Sequence, residues 1–551
     1  MNTYLLAPPL NFESYLDILM LSVIALVSSV LMVFVGYKLL QMLQLSGYKM
    51  KGYCMWFKET KCSYLSRLFM LTFLSVAAML MTNVLLEEFF VVKTLEYLSV
   101  LFYVLFSSLF ITNLFSAKQK TPLKYTKRMT RLVVVYVIFV LVVTLTLGYV
   151  GFMYVPYLSF GLIGFTPLIL PLIVFVAYYL TYPFEKLISA SYVKKAKKKL
   201  SRFDKVKVIG ITGSYAKTSV KNILYVILSE KYQVCATPSS YNTPLGLAKT
   251  ILSKLDDQDE IFIAEMGAKQ KNDIKELCEM VNPNIGIITG VGNQHLLTFG
   301  DVETIKQTKA ELADFIKAKK GSLYINVDGE VACELANNYK SSNKVSLSGE
   351  NGKIKISSIK VSKDGSSFTL ESGNEKVKCK TKLLGKHNIS NILLAANVAL
   401  DLELSLKEIA SGIEKISQTA HRLEIIKSNA PYTIIDNAYN SSVEGSKASL
   451  EVLSCFGGNK IVITPGLVEL GSKQYDSNFE FGVNVSKVCD YVIIDSSINY
   501  QAISSGLLSQ GFDETKIIQT ASLAQAVEVL SKIVKEGDVV LFENDLPDNY
   551  S

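Results

Sequence analysis

The chain has 551 residues, enough for several domains, and a mean hydropathy of +0.29, too high for an ordinary soluble protein. Its formal charge of +8 is unevenly divided: residues 1–205 carry 21 Lys+Arg against 8 Asp+Glu, a balance of +13, and the remainder is −5. That split argues against a nucleic-acid binder and for a basic membrane region joined to a mildly acidic soluble one.

Five apolar runs, at roughly residues 15–37, 65–86, 94–115, 131–152 and 158–182, are each long enough to span about 30 Å of hydrocarbon. No basic stretch precedes the first, so a cleaved signal peptide is not expected. Lys38, Lys49, Lys51, Lys58, Lys61 and Arg67 follow the first run, and Lys118, Lys120, Lys124, Lys127, Arg128 and Arg131 follow the third. The second connection, around Glu87, Glu88 and Lys93, is net acidic, and the fourth is uncharged. The positive-inside bias then predicts a multi-pass protein of the plasma membrane with its N-terminus outside. Residues 1–190 form the membrane region, 191–204 a basic linker, and everything beyond is cytoplasmic. Eight cysteines without a C-x-x-C pair suit a reducing compartment, not a disulfide framework or a zinc site.

At residues 205–228, "KVKVIGITGSYAKTSVKNILYVIL" reads as a strand, a short loop and a helix, the outline of a phosphate-binding loop. The pattern G-x-x-x-x-G-K-[ST] asks for glycine where Ala216 and Ile211 stand. Lys217 would meet the β- and γ-phosphates, Thr218 would ligate Mg2+, and Gly213 would let the backbone approach. A methyl at Ala216 costs about 1 kcal/mol if its φ is positive and little otherwise. Beyond the loop, "IFIAEMG", "IGIITGV" and "SLYINV" alternate with helical stretches, so a parallel sheet with right-handed crossovers is predicted. Glu265 ends "IFIAE", at the carboxyl edge where such sheets bind ligands. Residues 343–382 read as a small antiparallel appendage. From about 418 a second α/β unit begins, with Asp436 ending "YTIID". The three histidines, His295, His387 and His421, all lie in polar contexts beside strand or helix ends.

These motifs together resemble the Mur ligases, ATP-dependent amide-forming enzymes of bacterial wall synthesis, over roughly residues 205–545. The matching stretches are "TGSYAKTS", "YNTPLG", "AEMGA", "NQHLLTFGDVETIKQTKAEL", "LLGKHNISNILLAANVAL", "HRLE", "DNAYNSS" and "LVELGS". The nearest flavour is the type that adds D-alanyl-D-alanine to a UDP-muramoyl tripeptide. The resemblance implies a central ATP-binding domain over 205–417 and a Rossmann-like C-terminal domain over 418–551. It also implies ATP and Mg2+ as cofactors and an acyl-phosphate intermediate.

By the same resemblance Gly213, Ser214, Tyr215, Ala216, Lys217, Thr218 and Ser219 cradle the phosphates, and Thr218, Glu265 and His295 hold Mg2+. Lys309 matches a lysine that several members carbamylate, which would let it bridge toward a second Mg2+. His387 and Asn388 would lie by the adenine, Arg422 would reach the phosphates, and Asp436 the ribose. Membrane spans stand where the family has a UDP-sugar-binding domain, and "FENDLPDNY" replaces the family's basic ending. The expected acceptor is therefore a cell-envelope precursor, lipid-linked in the leading reading, and the amine an amino acid or dipeptide. Other envelope-synthesis enzymes are conceivable partners, and nucleic acid is not. Three further readings are a ligase adding an amino acid such as glutamate or alanine to a polymer or to a lipid-linked or capsular glycan, an ATP-driven transporter, disfavoured by spans almost free of charge, and a nucleotide-binding scaffold without turnover.

Overall fold

The computed structural model describes residues 12–60, 62–85, 92–116, 121–154, 162–238, 241–292, 296–348, 352–439 and 442–545. Contacts divide them into two compact units with the boundary at Ile188 and Ser189.

The first unit is helical, with helices Phe12–Val35, Tyr37–Leu45, Met50–Glu59, Ser63–Leu85, Val92–Ser116 and Lys127–Tyr154, and the start of Thr166–Leu200. Leu19, Phe69, Met70, Phe73, Leu101, Ile138 and Leu172 are all more than half exposed, an apolar exterior suited to lipid. Polar groups turn inward and pair: Ser28 with Tyr103 at 2.7 Å, and the Tyr136 hydroxyl donating to the Met32 carbonyl at 3.1 Å. Among the described residues, Ile18–Leu45, Lys127–Met153 and Thr166–Leu200 are long and apolar enough to cross a membrane. Within the described residues, Ser63–Ala77 and Val100–Ser116 are the apolar parts of helices Ser63–Leu85 and Val92–Ser116, at two further expected spans. The acidic connection with Glu87 and Glu88 lies outside the described residues.

The second unit starts with a correction. Residues 191–200, expected as part of a linker, continue helix Thr166–Leu200. Val193, Ala196 and Leu200, spaced at three and four residues, pack into a core with Val208, Leu247, Ile251 and Leu255 while the lysines between them stay outside. Lys199 donates from Nζ to the Leu255 carbonyl at 2.5 Å, just past the end of helix Pro244–Ser253.

Six parallel strands follow: β1 (Lys207–Thr212), β2 (Val234–Ala236), β3 (Ile261–Glu265), β4 (Ile285–Ile288), β5 (Ser322–Asn326) and β6 (Asn343–Val345). Their order is β2-β3-β1-β4-β5-β6. The central strands are apolar throughout because helices cover both faces. Ile209 and Ile211 pack on one side with helices Lys217–Leu228, Lys386–Asp401 and Leu406–Lys415, and Val208, Phe262 and Ala264 on the other.

The appendage is a three-stranded antiparallel sheet of β7 (Lys355–Ser362), β8 (Gly365–Ser372) and β9 (Glu375–Thr381). Phe368, Leu370 and Cys379 alternate into the core of the central domain. Residues 343–345, read with the appendage, belong instead to the parallel sheet. The C-terminal sheet comprises β10 (Glu424–Ile426), β11 (Thr433–Asn437), β12 (Lys460–Thr464), β13 (Tyr491–Ile494), β14 (Ile517–Gln519) and β15 (Val539–Glu543). Its order is β10-β11-β15-β12-β13-β14, parallel except for the β10 edge. All eight cysteines are free thiols.

Candidate active site at the carboxyl edge of the central sheet

The loop after β1 is fixed by a second loop, Thr289–Gly292, which follows β4. Gly213 has φ +155°, and a Cβ there would lie 2.2 Å from the Thr289 hydroxyl and 3.0 Å from the Gly290 carbonyl, so glycine alone fits. The Ser214 amide donates to the Gly290 carbonyl at 2.7 Å, and the Ser214 hydroxyl accepts from the Gly292 amide at 3.1 Å. The Thr289 hydroxyl donates to the Tyr215 carbonyl, and the Tyr215 ring lies where a Cβ on Gly290 would be, 2.4 Å from one ring carbon. Burial, and then the Glu444 and Asp328 carboxylates, push the Tyr215 phenol up to about 12. Ala216 has φ +61° at the N-cap of helix Lys217–Leu228. The methyl therefore sits in the left-handed region, at a cost of roughly 1–2 kcal/mol, and the hydrogen bonds of the preceding three residues hold the turn. Thr218 and Ser219 begin the helix partly exposed, while Val220, Ile223, Leu224 and Ile227 bury its other face.

Three lysines converge on this edge. Lys217 folds back, donating from Nζ to the carbonyls of Gly213 at 2.8 Å and Ser214 at 3.1 Å. Burial lowers its ammonium to about 8, with Glu265 opposing the shift and Arg422 adding to it. Lys221, one turn on, is 2 % exposed, and its Nζ lies 3.1 Å from Oε2 of Glu265, itself 1 % exposed. Glu265 sits opposite Ile211 in the β1–β3 register, level with the start of the loop. Its Oε1 accepts from the Asn242 side-chain amide at 3.2 Å. Lys309, on helix Val302–Ala318, is 3 % exposed, with Nζ 5.8 Å from the centre of the Phe299 ring. Burial first, then Lys217, lower its ammonium to about 7, against the pull of Asp273 and Glu311. A lysine so placed is substantially an uncharged amine near neutral pH, the form that reacts with CO2.

Arg422 comes from the C-terminal domain, between two residues with left-handed backbone, His421 (φ 59°) and Leu423 (φ 49°). Its guanidinium lies 4.7 Å from the centre of the Tyr439 ring, and burial lowers its pKa while Tyr439 and Glu265 oppose. Lys217, Glu265, Lys309 and Arg422 are thus tied by mutual electrostatics. Asp436 is the next-to-last residue of β11, with Oδ2 2.7 Å from Nδ1 of His421 and Oδ1 accepting from the Ala438 amide at 2.9 Å.

Asn388 is turned inward, donating to the Leu384 carbonyl at 2.9 Å and accepting from Asn391 at 3.4 Å. Burial lowers His387 to about 4, opposed by Glu451, and its Nδ1 is enclosed without a partner. His295 lies outside the described residues. Reading the sequence missed Lys221, Thr289 and Glu444. The spacing K-T-S-V-K, one helical turn, was the available signal for Lys221. For Glu444 there was none: it reaches from the C-terminal domain to within 2.9 Å of a Cβ built on Gly292.

Among the described residues no three His, Cys, Asp or Glu side chains gather into a metal site. The donors present are the Glu265 carboxylate and the Thr218 hydroxyl. Such a set suits a hard cation such as Mg2+, which completes its shell from phosphate oxygens and water. The cradle that a Cβ on Gly213 would fill, with Lys217 beside it, suits the phosphates.

A glycine-cradled phosphate loop on one parallel sheet, met by an arginine from a second α/β domain, defines a nucleotide-dependent enzyme with a two-domain site. Residues 211–399 match the Mur ligase middle domain, and residues 421–543 match the Mur ligase glutamate ligase domain. The UDP-N-acetylmuramoyl-tripeptide--D-alanyl-D-alanine ligase of Bacillus subtilis (strain 168) is 27 % identical over 340 residues, 61 % of this chain and 72 % of that protein. Its namesake in Buchnera aphidicola subsp. Baizongia pistaciae is 30 % identical over 305 residues, 55 % and 64 % of the two chains. The crystal structure of MurF ligase from Thermotoga maritima in complex with ADP superposes with a TM-score of 0.58 at 26 % identity, over 65 % of this chain and 80 % of that one. The chain belongs to the Mur ligases, and with them to the ATP-dependent, ADP-forming ligases that work with ATP and Mg2+.

Proposed function

We propose that this Mur-type ligase joins an amine, D-alanyl-D-alanine in the leading reading, to the carboxyl group of a muramoyl-peptide precursor while anchored in the plasma membrane with its ligase domains in the cytoplasm. The observation that carries the reaction is the shared electrostatics of Lys217, Glu265 and Arg422, which draws on both domains. The relatives named above supply the choice of substrates.

In the first step an acceptor carboxylate oxygen attacks the γ-phosphorus of ATP. The bond from that phosphorus to the β–γ bridging oxygen breaks, giving an acyl phosphate and ADP. The amine nitrogen then attacks the acyl carbon, phosphate leaves with the former carboxylate oxygen, and the nitrogen loses a proton to give the amide. Lys217 and the amides of Gly213 to Ala216 hold the phosphates, and Arg422 offsets charge on the group in transit. Bound Mg2+ supplies further charge neutralisation on the phosphoryl oxygens. Lys309, held as an amine by burial, would add through Nζ to CO2 and release one proton to water, becoming a carbamate anion. A site divided between two domains assembles as they close.

The apolar helices of the first unit then hold the enzyme beside a lipid-linked acceptor. The test is phosphate release by the detergent-purified full chain with ATP and Mg2+, over soluble and lipid-linked muramoyl peptides crossed with D-alanyl-D-alanine and single amino acids. Turnover that needs a lipid-linked acceptor and D-alanyl-D-alanine together is expected. Full activity on a soluble UDP-muramoyl peptide without lipid would remove the membrane part of the proposal. Turnover with single amino acids alone would replace the amine.

A further inference from the structure

Lys221 has no part in the reaction as written, yet it is paired with Glu265, the carboxylate expected to meet the metal. Both oxygens of Glu265 are engaged, Oε2 by the Lys221 ammonium at 3.1 Å and Oε1 by the neutral Asn242 amide at 3.2 Å. Asn242 is brought in close because Gly267 has no side chain: a Cβ there would strike the Asn242 amide at 2.7 Å. The backbone of Glu265 is held too, its amide donating to the Thr237 hydroxyl at 3.1 Å. The carboxylate is therefore fixed in orientation, and its two oxygens differ in kind. One carries a positive charge at contact distance, which repels a divalent cation from the same oxygen. The other carries only a neutral donor.

We propose that Lys221 sets which divalent cation the nucleotide site accepts, by restricting Glu265 to contact through Oε1 alone and so favouring Mg2+ over Ca2+. The inference rests on the reading in which Glu265 meets the nucleotide's metal. Mg2+ takes six oxygens at about 2.0–2.1 Å and is satisfied by a single carboxylate oxygen plus phosphate and water, whereas Ca2+ takes 6–8 at about 2.3–2.6 Å and commonly uses both oxygens of one carboxylate. Lys221 is a positioning residue here, since it acts through Glu265.

The experiment is thermal unfolding of the full chain in detergent with ADP, titrated separately with MgCl2 and CaCl2, which reads binding without turnover. The wild type is expected to reach half of its ADP-dependent stabilisation at a Mg2+ concentration about tenfold below that for Ca2+. In Lys221→Met both oxygens are open, and the ratio is expected to fall several-fold, chiefly because Ca2+ improves. Lys221→Gln keeps a donor on Oε2 without the charge, gives a smaller fall, and serves where the methionine variant does not fold. Equal half-points in the wild type, or a ratio unchanged in the variants, would overturn the inference and leave the ligase reading standing. No stabilisation of the wild type by ADP with either metal would overturn both.

Discussion

Both α/β sheets of the second unit are six strands wide and largely parallel, yet their carboxyl edges are built from opposite materials. The central edge gathers Lys217, Lys221 and Lys309 around Glu265, and burial lowers the ammonium pKa of all three. At the C-terminal edge, the loop after β12 is tied by neutral amides. Asn478, fully buried, accepts from the Leu467 amide at 2.8 Å and donates to the carbonyls of Leu467 at 2.9 Å and Gln474 at 2.8 Å. Asn544 donates to the Gly466 carbonyl at 2.7 Å. Sheet architecture therefore leaves the chemistry open. Concentrated positive charge, a cost to folding, marks the edge proposed above to meet polyphosphate, and satisfied amides tie the loop after β12.

That contrast breaks most sharply at Lys217. Lys217→Ala is expected to lower phosphate release about a thousandfold, the scale of losing an electrostatic contact made in the transition state. Thermal unfolding should stay near the wild-type temperature, because a cation that burial disfavours is removed. A parallel collapse of folding would instead make Lys217 structural.

Lys309→Met comes next, with activity down about a hundredfold if the anion formed on Lys309 takes part in holding the transferred group. The same variant carries a pH signature. Between about 7 and the ordinary 10.5, the unfolded chain holds a proton on Lys309 that the folded chain lacks. Stability contributed by this residue thus rises with pH across that window, and burial of the charge costs most below it. The methionine variant should unfold at a higher temperature than wild type at pH 7, with the gap closing toward pH 10. Melting curves that stay parallel over this range would contradict the lowered pKa.

At the other edge, Asn478→Ala should cost about 1–3 kcal/mol, because it orphans the buried Leu467 amide, while the Leu467 carbonyl keeps Gln474 and Asn499 as donors. ADP binding should be untouched, which calorimetry on the variant would check. The smallest effect is at Ala216: glycine there removes a left-handed alanine and is expected to add about 0.5–1 kcal/mol of stability. A lower melting temperature for Ala216→Gly would mean the methyl makes a contact worth more than its strain.

Much of the candidate site was legible because its motifs are local. A strand, a tight turn and a helix start lie within a dozen residues, so the turn at Gly213 and the helix start at Lys217 and Thr218 could be placed from "TGSYAKTS" alone. Glu265 was legible as the last residue of an apolar strand. Lys221 was not, because a lysine one turn along a helix reads as a solvated residue until a carboxylate from another strand is seen beneath it. The inward turn of Asn388 onto the Leu384 carbonyl was equally hidden, since its motif fixes where the residue lies in the helix but not which way its amide points. The linker reading of 191–204 overlooked the helix over 191–200, because five lysines between residues 194 and 199 masked the Ala196 and Leu200 stripe that packs into a core.

By itself the sequence determined the order of an apolar helical region, a first α/β domain and a second α/β domain, since periodicity, charge balance and turn residues are properties of neighbouring positions. Only the tertiary structure decided the sign of φ at Ala216, the pairing of Lys221 with Glu265 and the depressed pKa of Lys309. Each depends on atoms brought together from strands and helices far apart in the chain, and on how much water their meeting excludes.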